Sequence, residues 1–320
     1  NVLENILAYF DLGKISTGRY NIRLIVNYGS SQLISNYIII IVDKSLKEGW
    51  PLDIGDRAHD PLIGDVDNDG DNEIAIHVGS YLPNHLRVYN HSGSLLSGWE
   101  NIPYFFESFS KPALGDIDND GKNNLVSTNL RGDVRAYNDQ GEIFWDYFSD
   151  VPSFICGSPV LSNINNDGKL ETIFGSDNSN LYVLNYSEGI GNILWSKETI
   201  GSIRATPAVG DLDHDGSKEI IVGSYNISTK EYKIYIFKND GNYYISPIIV
   251  DLNNPTTINS YCRESSPTLA DLDKDGNLEI VLGLPDGSIG VWKKDGSIMW
   301  KFDSNISIYA RSSALGDIDN

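Results

Sequence analysis

Residues 271–302 read "DLDKDGNLEIVLGLPDGSIGVWKKDGSIMWKF". The stretch opens on alternating acids, Asp271, Asp273 and Asp275, turns at Gly276 and reaches Glu279 just before an apolar run, EIVLGL. Two further turns, PDG and KDG, set off SIGVWK and SIMWKF. Asp-Gly between alternating apolar runs is a strong hairpin signal. An acidic loop followed by three antiparallel strands is therefore expected. With a short strand ahead of the loop, in PTLA, the unit has four strands.

The unit repeats along the chain. One loop holds Asp65, Asp67, Asp69, Asp71 and Glu73, and a second holds Asp116, Asp118, Asp120, Lys122 and Asn124. A third holds Asn163, Asn165, Asp167, Lys169 and Glu171, and a fourth holds Asp211, Asp213, Asp215, Ser217 and Glu219. The fifth holds Asp271, Asp273, Asp275, Asn277 and Glu279, and Asp317 and Asp319 begin a sixth. Successive starts lie 51, 47, 48, 60 and 46 residues apart, a period that indicates a propeller or solenoid array. Segments such as PALG and PAVG precede the loops, strand-like runs such as EIIVGS follow them, and no helical periodicity of useful length appears. Four antiparallel strands per repeat of this length make one propeller blade. The expected fold is an all-β propeller with five near-complete blades and the start of a sixth. A blade cannot bury both its faces alone. Trp99, Trp145, Trp195 and Trp300, which recur in the last strand of their units, are expected to pack between blades.

The loop spacing D-x-D/N-x-D-G-x-x-E also specifies a chemistry. Oxygen ligands at positions 1, 3, 5 and 9, with the backbone carbonyl at position 7, can wrap one Ca²⁺. Position 7 is Asp71, Lys122, Lys169, Ser217 or Asn277. Glycine at position 6 permits the sharp turn that lets alternate side chains converge. Two carboxylates ~4 Å apart repel by roughly 1 kcal/mol in water and about 4 near a protein surface, so a closed loop without a cation is strained. An EF-hand needs flanking helices and a Glu at position 12; here strands flank the loop and the acid stands at position 9. Magnesium prefers fewer protein ligands and more water, which favours calcium. The first, fourth and fifth loops keep four acidic ligands, the second has Asn124 at position 9, and the third has Asn163 and Asn165. The loops hold 20 of the chain's 44 acidic residues, so five bound calcium ions would cancel half of the net charge of −20.

That charge argues against nucleic acid or an anionic membrane surface as partner. No stretch approaches the ~20 apolar residues of a membrane span, and the longest apolar run, Tyr37 to Val42, reads as a buried strand. Cys156 and Cys262 are the only cysteines. They are read as two buried or free thiols, with a disulfide between them as the alternative, and no zinc, haem or dithiol motif is present. Four N-x-S triplets, at Asn90, Asn185, Asn226 and Asn305, hint at export. No catalytic residue is assigned. The five histidines form no metal-binding pair, no nucleophile motif or phosphate loop appears, and His214 occupies a non-ligand position expected to face solvent. Asn1 is not a start and the chain stops inside a repeat, so it is expected to be an internal fragment.

The loops, the preceding "SP" or "KP" step and the later "DG-x-I-x-W" strands resemble the FG-GAP/VCBS repeat family, whose calcium-loop propellers are related to the integrin α-subunit head. The resemblance covers roughly residues 49–320. The Phe-Gly and Gly-Ala-Pro signatures are not intact and Glu replaces the usual Asp at position 9, so the VCBS-type branch is the better match. It implies about seven blades in a full ring. Residues 1–43 resemble the last strands of an immunoglobulin-like or fibronectin-like sandwich, residues 44–51 read as a linker, and residues 52–320 as the propeller. This order resembles the C-terminal part of large secreted prokaryotic proteins.

The function expected is that of a non-catalytic calcium-binding module in a secreted or cell-surface multidomain protein. Its ligand would be an extracellular protein or glycan, bound for adhesion or targeting, and further domains would lie upstream. Tyr225, Tyr232, Tyr243 and Tyr244, in the long fourth unit, are the candidate ligand-facing residues, against ordinary hairpin packing. Two alternatives stay open: a polysaccharide lyase or hydrolase using Arg131, Arg204 or Arg263, and an accessory region of a secreted subtilisin-like protease.

Overall fold

Each acidic loop is the connection of a tight antiparallel hairpin. Its position-9 residue is the first of a new strand and pairs with the residue just before position 1: Gly64 with Glu73, Gly115 with Asn124, Ser162 with Glu171, Gly210 with Glu219 and Ala270 with Glu279. The ladder thus clamps both ends of every loop. In the computed structural model the described residues are 18–22, 25–28, 31–34, 38–42, 52–54, 58–78, 85–100, 102, 108–149, 153–252 and 264–303. They contain strands and no α-helix.

The chain divides into two compact units, Asn1–Asp53 and Ile54–Asn320. In the first, β1 (Gly18–Ile22) pairs antiparallel with β4 (Ile38–Val42), and β2 (Ile25–Tyr28) with β3 (Ser31–Ile34). The pairs are nested in sequence, β2 and β3 lying between β1 and β4.

The second unit consists of antiparallel sheets, each a meander in chain order. β5 (Leu62–Gly64), β6 (Glu73–Val78) and β7 (His85–Tyr89) form the first, to which Leu95 adds an isolated bridge with Tyr89 in place of the expected fourth strand. β8 (Ala113–Gly115), β9 (Asn124–Thr128), β10 (Val134–Tyr137) and β11 (Ile143–Tyr147) form the second. β12 (Val160–Ser162), β13 (Glu171–Gly175), β14 (Asn180–Ser187) and β15 (Ile190–Glu198) form the third. β16 (Ala208–Gly210), β17 (Glu219–Asn226), β18 (Glu231–Phe237) and β19 (Ile248–Val250) form the fourth. β20 (Thr268–Ala270), β21 (Glu279–Gly283), β22 (Ile289–Trp292) and β23 (Ile298–Phe302) form the fifth. These are propeller blades.

Stacking decides which residues are buried. Every residue of β9, β13 and β21 is buried, because neighbouring blades cover both faces of those strands. Their apolar residues are therefore consecutive, as Leu125–Val126, Ile173–Phe174 and Ile280–Leu282, and do not alternate with exposed ones. Each apolar cluster joins two blades; one unites Val126, Val134 and Trp145 of the second with Phe174 and Leu184 of the third. The tryptophans pack as expected where a following blade is described. A Cβ on Gly191 would lie 2.5 Å from the Trp145 ring, and one on Gly141 3.1 Å from Trp99. Trp99 and Trp145 are each 2% exposed, whereas Trp300 is 46% exposed; the chain following it, after Asp303, lies outside the described residues.

One feature differs from the sequence reading, and at two tyrosines the packing alternative holds. Cys156 is disulfide-bonded and not a free thiol; the only other cysteine, Cys262, lies outside the described residues. Tyr225 and Tyr232 are core residues, 3% and 2% exposed, because they are cross-strand partners in the β17–β18 ladder beneath the fifth blade.

His77, which no motif marks, fills the junction of the first two blades. Its Nδ1 lies 2.9 Å from the Ser110 carbonyl and its Nε2 2.8 Å from Ser127 Oγ. A carbonyl only accepts, so Nδ1 carries the proton and Nε2 accepts from the serine. Burial pushes its pKa down to about 4. The unfolded chain takes up the proton first as pH falls below ~6.5, so stability is full above that value and declines toward pH 4. Wild type is expected to lose roughly 2 kcal/mol more than His77→Gln between pH 7 and pH 5, at about 1.4 kcal/mol per pH unit, in urea unfolding at both pH values.

Candidate metal centre

The loop backbone aims its own carboxylates. In the first loop Asp65 accepts the N–H groups of Asp69 and Gly70, both at 3.1 Å, Asp69 accepts that of Asp71 at 2.8 Å, and Glu73 accepts that of Val66 at 3.0 Å. The fourth and fifth loops repeat this set around Asp211 and Asp271. In the second loop Asn124 takes the place of the glutamate and accepts from Ile117 at 3.1 Å. The turn depends on two left-handed residues. Position 4 has φ of 59 to 63° at Asn68, Asn119, Asn166, His214 and Lys274, and the position-6 glycines have φ of 89 to 96°. At the glycines this conformation strains any L side chain.

The result is convergence. Asp65, Asp67 and Glu73 bring ligand oxygens within 4.8 Å of one another, as do Asp116, Asp118 and Asp120; Asp211, Asp213 and Asp215; and Asp271, Asp273 and Glu279. Asp69, Glu219 and Asp275 stand in the same loops outside these tightest sets. Position 9 is buried throughout: Glu73, Glu171 and Glu279 are 1% exposed, Glu219 2% and Asn124 4%. Burial, with the neighbouring aspartates, raises the Glu73, Glu171 and Glu219 carboxyls above their ordinary range. Desolvation followed by like charge does the same at Asp67 and Asp118.

The donor set fits calcium. It is all oxygen, mostly carboxylate, and loops of this kind wrap that ion with backbone help. Asp118 Oδ1 and Glu171 Oε1 are buried without a hydrogen-bond partner, a state that costs free energy unless a ligand completes it. The third loop is the exception among the five. It offers only Asp167 and Glu171 as carboxylates, Asn165 Nδ2 bonds Asp167 at 3.1 Å, and Asn163 Oδ1 is buried without a partner. Asp317 and Asp319 lie outside the described residues.

In four of the five loops the position-7 side chain is engaged outside the carboxylate cluster. Asp71 faces His91 at 3.6 Å, Lys122 bonds Asp139 at 2.7 Å, Asn277 accepts from Lys294 at 2.8 Å, and Lys169 lies 5.9 Å from the centre of the Tyr186 ring. His214 is exposed, as expected.

The spacing alone does not reveal that the loops touch. Asn123 bonds Asn68 Oδ1 at 2.9 Å and the Asp65 carbonyl at 2.8 Å. Leu170 N–H reaches the Ile117 carbonyl at 3.2 Å, and Leu278 N–H the Leu212 carbonyl at 3.1 Å. Tyr244, offered by the sequence as ligand-facing, instead donates to Asp213 Oδ2 at 2.8 Å; Tyr243 is half exposed. Arg204 is held by Asp177 at 2.6 and 3.0 Å, and its N–H reaches Glu264, a carboxyl pushed up to about 8 by burial. Arg263 lies outside the described residues.

Two overlapping spans, residues 163–222 and 211–282, match the FG-GAP-like repeat family, each containing two of these loops with their strands. Residues 163–282 are FG-GAP-like repeats. The first two blades carry the same loop-and-strand geometry ahead of them. No curated protein matches the chain. Among solved structures, the biofilm matrix protein Bap1 of V. cholerae is similar with a TM-score of 0.57 and 21% identity. The likeness covers 78% of this chain and 40% of that one, so this chain spans two fifths of Bap1. BBS1N, solved in complex with ARL6DN, is similar with a TM-score of 0.54 and 13% identity, over 77% of this chain and 68% of that one. At these identities the likeness is one of fold. It places the FG-GAP-like repeats on a propeller scaffold.

Proposed function

We propose that the chain is a calcium-binding, non-catalytic binding module of a secreted or cell-surface protein, engaging a protein or glycan partner in adhesion. The observation that carries this reading is the recurrence of a three-carboxylate cluster at the same hairpin in four blades. The loop aspartates with Glu73, Asn124, Glu219 and Glu279 would hold the ion. When bound it neutralises the loop and cross-links the two strands that flank it. The Cys156 disulfide supports an oxidising, extracellular setting, as does a structural neighbour described as a biofilm matrix protein. Fold alone does not specify a partner, and the loops' acidity is accounted for by metal rather than by a basic ligand.

Metal analysis of the chain after equilibrium dialysis against millimolar calcium is the direct test. About four ions per chain are expected, one for each cluster, with the asparagine-rich third loop filling last. Asp211→Asn with Asp213→Asn should lower the count by one. A count near zero would end the calcium reading.

A further inference from the structure

The fifth loop has a feature that distinguishes it from the other carboxylate clusters. Lys293, in the turn after β22, places Nζ 2.6 Å from Asp273 Oδ2 and 3.4 Å from Asp275 Oδ2. An ammonium therefore bridges the residues at positions 3 and 5, both metal-ligand positions. The other clusters are approached differently. In the second, the nearby Lys122 is turned away onto Asp139. In the fourth, Asp213 receives the neutral hydroxyl of Tyr244. In the first, the contact is His91 to Asp71, at position 7. At the place of Lys293 in their strand 3–4 turns, the first and second blades carry Asn90 and Asn138, and the fourth carries Lys238, so it is the contact with Asp273 and Asp275, and not the presence of a lysine, that sets the fifth loop apart.

We propose that Lys293 is a resident counter-ion of the fifth loop and makes it the weakest calcium site of the four clusters. This rests on the calcium reading of the loops. A divalent ion entering between Asp271, Asp273 and Glu279 must either displace the ammonium from Asp273 or bind beside a positive charge, and both oppose binding. The same contact holds Asp273 and Asp275 together without metal, so this blade keeps its loop closed when calcium is scarce. The loops would thus fill in order as calcium rises, the fifth after the other clusters.

Isothermal titration of the full chain with calcium tests this. In a background of Asp167→Asn with Glu171→Gln, which silences the third loop, the chain should show one site about tenfold weaker than the other clusters, and adding Asp271→Asn with Asp273→Asn should remove that weak site. Lys293→Met keeps the stem and removes the charge; it should tighten the weak site about tenfold, a change of about 1.4 kcal/mol. Lys293→Gln carries the same expectation should the methionine variant lose the wild-type circular dichroism spectrum. The proposal is overturned if neither variant tightens the weak site, or if that site survives loss of the fifth-loop aspartates. Absence of calcium binding by wild type would overturn the calcium reading itself, an outcome distinct from either of these.

Discussion

Millimolar calcium should raise the melting temperature of the metal-free chain by roughly 9 to 18 °C. An ion bound only by the folded state stabilises it by RT ln(1 + [L]/Kd), about 1.4 kcal/mol per site at ten times Kd. Extracellular calcium modules have Kd on the order of 10⁻⁴ to 10⁻³ M. Three clusters at that ratio and the tenfold weaker fifth loop, which adds about 0.4 kcal/mol, then supply about 4.6 kcal/mol, close to the whole stability of an ordinary domain. For a unit of this size each kcal/mol shifts the midpoint by roughly 2 to 4 °C. The loops are clamped at both ends by strand pairs such as Gly210 with Glu219, so filling them stabilises the sheets as well as the turns. Magnesium should give a much smaller shift, because it keeps its waters and demands tighter octahedral geometry. Thermal melts in EDTA, calcium and magnesium measure this, and coincident curves would show that the acids are not calcium ligands.

Trp145→Ala is expected to destabilise the second unit by about 3 to 5 kcal/mol, the usual loss for a fully buried large aromatic. Trp145 is 2% exposed and lies over Gly191 of the following blade, so its removal opens a cavity at a junction between blades. Trp145→Phe should be milder, because the indole Nε1 is buried without a hydrogen-bond partner and its loss removes an unsatisfied donor. Trp300→Ala, at a side chain 46% exposed, should fall near the ±0.5 kcal/mol of ordinary surface changes. Urea denaturation midpoints of the three variants against wild type check the order. Equal losses at 145 and 300 would mean that burial between blades is not what distinguishes these tryptophans.

Much of the candidate site is legible in the sequence because it is local. All side-chain ligands of one loop fall within nine residues, and the turn that gathers them needs Gly70 and its counterparts at a fixed place. The strands after each loop are equally local, being short apolar runs bounded by Asp-Gly turns. Position 7 is assigned by its backbone carbonyl, and what the spacing leaves unseen is where its side chains go: Asp71, Lys122 and Asn277 each contact the next turn of their own blade. The tyrosines of the fourth unit leave both a ligand-facing and a packed reading open in the sequence, and Tyr225 and Tyr232 prove to be packed against the next blade. A hairpin's alternation shows two faces without showing which of them is covered.

The sequence by itself determined the blade repeat, the place of each acidic loop between a blade's first two strands and the oxygen-rich character of the loops. Only the tertiary structure decided the contacts between repeats. His77 meets Ser127 fifty positions away, and Asn123 reaches back to the first loop across 55. The physical reason is range. Periodicity, turn chemistry and ligand spacing act over a few residues and repeat in every unit, whereas these contacts depend on how one blade stacks on the next.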